Sequence, residues 1–599
     1  MRIATLITRS LLACTLYAIA SACPAQQSLH WQPWSQSVFT QAQQQHKFVL
    51  LDLEAVWCHW CHVMDATTYA DPAVVKLLNE KYLLIRVDQD SRPDISNRYQ
   101  DYGWPATVVF AANGSEIVKR QGYIEPQQMV TMLRAIIRDP SPGPSIEREA
   151  ALHPAADASL SPTLLAAVQR NYEQQYDTQS AGWAFGHKYL DADSYALALR
   201  LAAHGNATYS QRITTSLHNA AALIDPVWGG AYQYSVDGVW NEPHFEKLIF
   251  IQAAYLRTYS LAYAQLHNPA DLATAQAVHR YLRRFLTDGP TGAVFVSQDA
   301  DLHDDGTENA PYFALDDAHR IAQGIPRVDK HVYSRENGWT IQALADLYAV
   351  SGDASALADA RRAAQWIVAH RSLPGGGYRH DDPPLATQAP AGPYLADTLF
   401  MGRAFLELYL VTADRRDLQR AQDAASFIAG HFQPRTPGTG FITSATATDA
   451  AFKPHPDRDE NIALVQFATL LSAATGNTED QALATEAMRY LATPAIAKQW
   501  LSAGTLLAHD DVTTAPLHVT ILGAPNDAAA QTLHTAALRA FTQHELIEWR
   551  DPHDAHPLPT TVQYPTLPRA ALFLCTATAC SSPIYDPAVV AAKITRAQR

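Results

Sequence analysis

The chain has 599 residues, 47% of them hydrophobic and 17% charged, with a formal net charge of −14. That length exceeds one ordinary domain and predicts two or three globular units. An acidic chain without a long basic block argues against a nucleic-acid partner, because phosphates demand clustered Lys and Arg.

Arg2 and Arg9 precede an apolar run, Leu11 to Ala20, which leads into Ala20-Ser21-Ala22-Cys23. This is the pattern of a signal peptide over residues 1–22. The chain is therefore expected to be exported, either periplasmic or an outer-membrane-anchored lipoprotein of a bacterium. Two processing outcomes are open: cleavage after Ala22 or Ala25, or a lipid anchor at Cys23 through a lipobox carrying Ala20 where Leu is usual. The run is too short to span a bilayer, and no later stretch is apolar and long enough for a transmembrane helix. Of the six cysteines, Cys14 leaves with the signal, while Cys58/Cys61 and Cys575/Cys580 form two close pairs. In an oxidising compartment such pairs are disulfides or redox switches.

Residues 30–140 predict an α/β thioredoxin fold. Phe48-Val49-Leu50-Leu51-Asp52-Leu53 is a buried strand, and Trp57-Cys58-His59-Trp60-Cys61-His62 opens a helix running to about Glu80. Tyr82 to Asp88 is a second strand, Thr107 to Val118 a hairpin around Asn113-Gly114, and 127–137 a last helix. Cys58 at a helix start favours the thiolate, and His59 lowers its pKa further. Cys61, one turn on, resolves a mixed disulfide. Asp52 under the pair can shuttle its proton. Gly103-Trp104-Pro105 predicts a cis-proline loop that pairs with substrate, and Trp60 between the cysteines is expected to be exposed and to contact substrate. Against this stand a zinc half-site of Cys58, Cys61 and His62, a static disulfide, and a relic domain kept for docking. No cofactor or metal motif is assigned.

Residues 141–162, rich in Pro, Ala and Ser, read as a linker. Amphipathic helical segments follow over residues 163–512. Gly-aromatic loops recur near Gly182, Gly230, Gly292, Gly377, Gly440 and, less clearly, Gly504, mostly about 60 residues apart. Six helix pairs predict an all-α (α/α)6 toroid, with the aromatic residues available to line its mouth. Residues 513–599 predict a small mixed α/β extension from the strands at 517–522 and 570–575, with Cys575 and Cys580 close enough to bridge, as a structural disulfide or a second redox pair.

The motif from Cys58 to Met64, with Asp52, Pro105 and Gly122 at thioredoxin spacing, resembles the spermatogenesis-associated protein 20/YyaL family. So do Tyr234 to Asp237, Pro243 to Lys247, Ser297 to Asp301, Asn337-Gly338, and Cys575 to Asp586. The resemblance implies a thioredoxin domain joined to a toroid like those of six-hairpin glycosidases and sugar epimerases. Phe250-Ile251-Gln252 replaces the family's usual Tyr-Asp-Asn, Glu336 its Trp, and Asp459-Glu460-Asn461-Ile462 a Ser-Gly-Asn-Ser-like motif, which implies an altered cavity.

His244, Glu246, Asp299, Asp301 and Glu336 are the toroid's candidates for glycoside cleavage or sugar epimerisation. A structural reading has Glu246 pairing with Lys247 or capping a helix, and 301–306 as a solvated turn. The favoured function is thiol–disulfide exchange with protein thiols or disulfides, the toroid binding a partner or glycan. The alternatives are a carbohydrate-active toroid with an accessory thioredoxin domain, and a non-catalytic binding protein.

Overall fold

The computed structural model describes residues 28–146, 152–303, 307, 309–382, 392–445, 453–540, 545–555, 557–560 and 562–598. The signal segment, Cys14, Cys23 and residues 304–306 lie outside the described residues.

The first unit runs β1 (Trp31–Gln32), α1 (Gln36–Gln45), β2 (Phe48–Glu54), α2 (His59–Ala66), α3 (Pro72–Lys81), β3 (Tyr82–Asp88), α4 (Pro93–Tyr99), β4 (Ala106–Phe110), β5 (Glu116–Gln121) and α5 (Pro126–Arg138). Its five strands lie in the order β1-β3-β2-β4-β5. The first three pair in parallel, and the β4/β5 hairpin closes the sheet antiparallel. β2 is central because both of its faces are apolar and both are covered. Asp71 starts α3 by accepting from the Ala73 and Val74 amides. This is a thioredoxin-like sheet, but the single helix expected from Cys58 to about Glu80 is two, α2 and α3, broken where Asp71 caps and Pro72 starts the second. β1, α1 and α4 are additional to the expected elements; Pro93 at its first turn and Arg92–Asp94 pairing mark the start of α4.

The second unit runs α6 (Pro162–Gln174), α7 (Ala192–Ala203), α8 (Ala207–Ala220), β6 (Tyr234–Ser235), β7 (Pro243–His244), β8 (Lys247–Leu248), α9 (Ile249–Leu266), α10 (Pro269–Tyr281), β9 (Ser297–Gln298), α11 (Ala310–Phe313), α12 (Asp317–Gln323), β10 (Val328–Asp329), α13 (Ser334–Ser351), α14 (Ala354–Arg371), α15 (Leu395–Thr412), α16 (Arg415–His431), α17 (Arg458–Thr475), α18 (Thr478–Leu491), α19 (Pro494–Ala497) and α20 (Ala503–Thr513). Six helices close an inner ring, each packed on the next: α7, α9, α13, α15, α17, α20 and back to α7. The outer layer is α8, α10, α14, α16, α18 and α6. α13 and α15 are buried on nearly every face, as inner helices must be, whereas outer α16 buries one stripe.

Two local devices build this ring. Inner helices α9, α13, α15 and α17 each end on one left-handed residue, His267, Gly352, Ala413 or Gly476. The next residue, Asn268, Asp353, Asp414 or Asn477, caps the outer helix. At the other end, the fourth residue of each of these four helices clips a Gly-aromatic loop. Gln252 exchanges two 2.7 Å bonds with the Ala231 backbone, and Asn337 two of 3.0 Å with Val294. Thr398 accepts from the Tyr378 amide, and Asn461 bonds both backbone groups of Phe441. Gln252 and Asn461, which stand in segments that depart from the family pattern, therefore hold loops. The loop aromatics Trp183, Tyr232, Tyr378 and Phe441 are buried in the helical core and do not line the mouth. Gly504 is not in a loop: it lies in α20, where a Cβ would stand 2.2 Å from Asp193 Oδ2.

The chain ends in β11 (Leu517–Leu522), α21 (Ala528–Leu538), β12 (Glu545–Arg550), β13 (Ala571–Cys575) and α22 (Val590–Gln598). β11 pairs in parallel with β12 and antiparallel with β13, and β12 packs on α15 and α17. A disulfide joins Cys575 to Cys580. Between the two main units, Gly143 donates to Ile117 of β5. Further along, Leu160 is buried against the toroid and Arg489 donates to the Ala155 carbonyl.

Candidate active site

Cys58 is the N-cap of α2. Its Sγ accepts from the Cys61 amide at 3.1 Å, and the two cysteines form a disulfide. The Trp104-Pro105 peptide is cis, and Trp104 lies 6.1 Å from Trp57, centroid to centroid. Trp60 is 42% exposed, as its position between the cysteines predicts, and its ring stands 5.8 Å from Tyr123. With both thiols joined, the zinc half-site has no thiolate to offer in this state.

Asp52 is buried on β2, but not alone. Arg86 donates to it at 3.1 Å and also reaches Glu54 and Asp65. Burial raises the Asp52 pKa to about 6 against the pull of Arg86. Burial and the Asp52 charge push Glu54 to about 8. The carboxylate expected to serve the thiols is thus part of a four-member ion network around one guanidinium.

The thiol face is not open. Cys58 and Cys61 are 3% and 4% exposed, packed with Trp57 into the core that continues through the toroid. Two histidines of the Cys-His-Trp-Cys-His run clamp one toroid carboxylate. His59 Nδ1 donates to Asp301 Oδ1 and His62 Nδ1 to Oδ2, each at 2.8 Å, and Asn309 also donates. Asp301 is 2% exposed, so it is no part of a solvated turn. Burial would raise its pKa, but the bonds from His59 and His62 hold it well below the usual carboxylate range. The Asp301 bond raises the His59 pKa. Around this clamp, Arg327 donates to the Val56 carbonyl at 2.6 Å, Asn97 to Glu460 at 3.0 Å and Gln100 to Asp457 at 3.2 Å. His380 bridges the Asp90 carbonyl and Asp397. Nothing in the sequence separates these contact residues from ordinary loop polar groups. The nearest signal is His62, which standard thioredoxin logic does not require.

The other candidates gather beside the clamp. Asp299 accepts from the Asp301 amide and from Arg327, and burial raises its pKa to about 6. Ligand atoms of His62, Asp299 and Asp301 lie within 4.8 Å of one another, yet His62 Nδ1 and Asp301 are already bonded together. Glu246 is buried, and its Oε2 has no hydrogen-bond partner among the described residues. Burial lifts its pKa to about 7. The expected Glu246–Lys247 pair does not form: Lys247 turns to Asp225 at 2.5 Å, where Arg320 joins it. His244 Nδ1 is 3.9 Å from Glu246 and stacks on Tyr234. Burial, with His59 and His187 nearby, lowers its pKa to about 4.

A helix-capping dithiol on a thioredoxin-like sheet, seated on a six-hairpin ring, defines a class of two-domain protein. Residues 21–138 match the family model described as Thioredox_DsbH, protein of unknown function, DUF255. Over 306 residues the chain is 26% identical to human spermatogenesis-associated protein 20, covering 45% of this chain and 39% of that protein. The mouse protein of that name is 24% identical over 310 residues, 45% of this chain and 38% of that one. The matched stretch therefore spans about two-fifths of these relatives' length. Among solved structures, a D-mannose isomerase is 13% identical, with a TM-score of 0.43, over 60% of this chain and 99% of that one. A cellobiose 2-epimerase from Bacillus thermoamylovorans is 12% identical, with a TM-score of 0.42, over 55% and 87%. The chain has the architecture of the spermatogenesis-associated protein 20/YyaL type: a thioredoxin-like DUF255 domain followed by a six-hairpin toroid.

Proposed function

We propose that this protein is a thiol–disulfide oxidoreductase whose Cys58–Cys61 site works from beneath a toroid cover. The reading rests on one observation: Cys58 caps α2, with a backbone N–H on its Sγ and, next in the chain, His59, whose pKa the Asp301 bond raises. In the reduced protein the Cys58 thiolate attacks a partner disulfide. A mixed disulfide forms and one partner thiolate leaves. Cys61, deprotonated, then attacks Cys58 Sγ, releases the second partner thiolate and closes the Cys58–Cys61 bond. Two electrons pass to the partner, and the reverse sequence oxidises a partner dithiol. Pro105 and Trp104 shape the docking groove, Trp60 contacts substrate at its edge, and Asp52 exchanges the Cys61 proton. The compartment is oxidising, as the signal-like N-terminus suggests, with protein thiols as partners.

The test is equilibration of the purified protein in glutathione redox buffers, followed by alkylation mass spectrometry, with Cys58→Ser as control. Reversible titration of the pair and loss of exchange in the control support the reading. A pair inert at every poise refutes it.

A second reading, a carbohydrate-active toroid, is favoured by Glu246. A buried carboxyl with a pKa near 7 and a free oxygen beside His244 is suited to give or take a proton; Asp299 and Asp301 would then hold substrate. Sugar turnover that survives Cys58→Ser and dies with Glu246→Gln distinguishes it.

A further inference from the structure

Between the thioredoxin face and the toroid lies a chamber of about 320 Å³ that shares Trp104 with the proposed docking groove but takes no part in the exchange steps. That volume is at the small end of the range for small-molecule sites. One wall is Trp57 and Trp104; the facing wall is Phe250, Trp339 and Phe400, with Trp339 5.1 Å from Phe400 and 6.4 Å from Phe250. Five carboxyl groups line it: Asp90, Glu336, Asp457, Asp459 and Glu460. The one lining guanidinium, Arg335, is committed to Glu336 Oε1 at 2.5 Å. Burial, followed by the neighbouring carboxylate in each case, pushes Glu460 to about 8 and Asp457 to about 6, so Glu460 is largely protonated at neutral pH and a bound cation would favour its ionised form.

Acidity alone would not make a site, but three lining side chains, Glu336, Glu460 and Trp104, each keep an unsatisfied buried atom. Glu336 is 2% exposed, and its Oε2 has no hydrogen-bond partner among the described residues. Glu460 Oε2 and the indole N–H of half-buried Trp104 likewise have no partner among the described residues. Buried polar atoms are normally paired, and each orphan costs about 1–3 kcal/mol. Free acceptors, a free donor, crowded carboxyls that a cation would relieve, and aromatic faces together specify a ligand. It carries a cation for the carboxylates, an acceptor for Trp104, and a flat apolar face for the rings.

We propose that this chamber binds a hydroxylated primary amine of the amino-sugar class, its ammonium on Glu336, a hydroxyl on Trp104 Nε1, and its ring against Trp339 and Phe400. This goes beyond the exchange reading and does not rest on it. Because both domains supply walls, bound ligand also holds them together.

The test is calorimetric titration of the full-length disulfide form with glucosamine and with glucose, which lacks the ammonium. Glucosamine should bind saturably and at least tenfold more tightly than glucose. Glu336→Gln should weaken glucosamine at least tenfold; because it also loosens the Arg335 pair, the two proteins are compared at a temperature where circular dichroism shows both folded. Phe250→Ala, on the exposed rim, should weaken it severalfold without risk to folding. Glucose binding as tightly as glucosamine, no saturable binding of either sugar at millimolar concentration, or affinity indifferent to both substitutions overturns the proposal.

Discussion

Asp301→Asn is the sharpest probe of how the thioredoxin face is held. The wild-type carboxylate receives His59 and His62, each at 2.8 Å, with side chains 17% and 10% exposed. Asn retains one acceptor and loses the charge that the two imidazoles meet. Charge-assisted bonds contribute about 1.5–3 kcal/mol each, and breaking a buried pair costs about 3–5 kcal/mol. Since the other interface bonds remain, opening should become easier by about 2–3 kcal/mol, which is roughly thirty- to 150-fold. The assay is the alkylation rate of Cys58 in reduced protein, normalised to the same thiol in denaturant. Hydrogen exchange at residues 296–301 provides an independent readout, because the substitution also alters the field at the thiol. Unchanged alkylation together with unchanged exchange would refute the clamp.

Glu246 binds its proton more tightly folded than unfolded, so wild-type stability is full at low pH and falls as pH rises from the ordinary carboxyl value through about 7. Glu246→Gln should match wild type near pH 5 and melt higher at pH 8; a pH-independent difference contradicts this sign. His59, also raised by its bond to Asp301, stabilises the closed interface below the ordinary imidazole pKa and loses that contribution as pH rises through its folded value. Hydrogen exchange at the interface should therefore quicken on the alkaline side. Gly338→Ala places a Cβ 2.6 Å from the Phe400 carbonyl carbon. It should destabilise by about 1–3 kcal/mol in urea despite the better helix propensity of Ala. Removing the Cys575–Cys580 bridge, with a separation of 5 residues, should cost about 2 kcal/mol by loop-closure entropy, seen as a lower melting temperature in Cys575→Ser/Cys580→Ser.

The order of strands and helices was legible because each announces itself locally: a buried run at 48–53, an Asn-Gly hairpin, a dithiol at a helix start. The ring was legible through its Gly-aromatic loops. The stronger signal passed unread: a left-handed residue followed by an Asx cap at 267–268, 352–353, 413–414 and 476–477. The physical role of Asn337-Gly338 needed coordinates, since one residue clips a loop 43 positions back and the other lets two helices touch. The burial of the dithiol was out of reach. His59 and Asp301 are 242 residues apart, and neither carries a local mark of meeting the other.

The connection between the domains sets a limit on how far they can part. Gly143 is bonded to β5 on one side, and Ala155 and Leu160 are pinned to the toroid on the other. While those anchors hold, the chain from Gly143 to Ala155 is twelve Cα steps, about 40 Å at full extension. The thioredoxin face can therefore leave the toroid without either anchor breaking, but only on a tether of that length. Its cover stays close by and can seat again, so burial of Cys58 is a reversible, intramolecular event that does not depend on protein concentration.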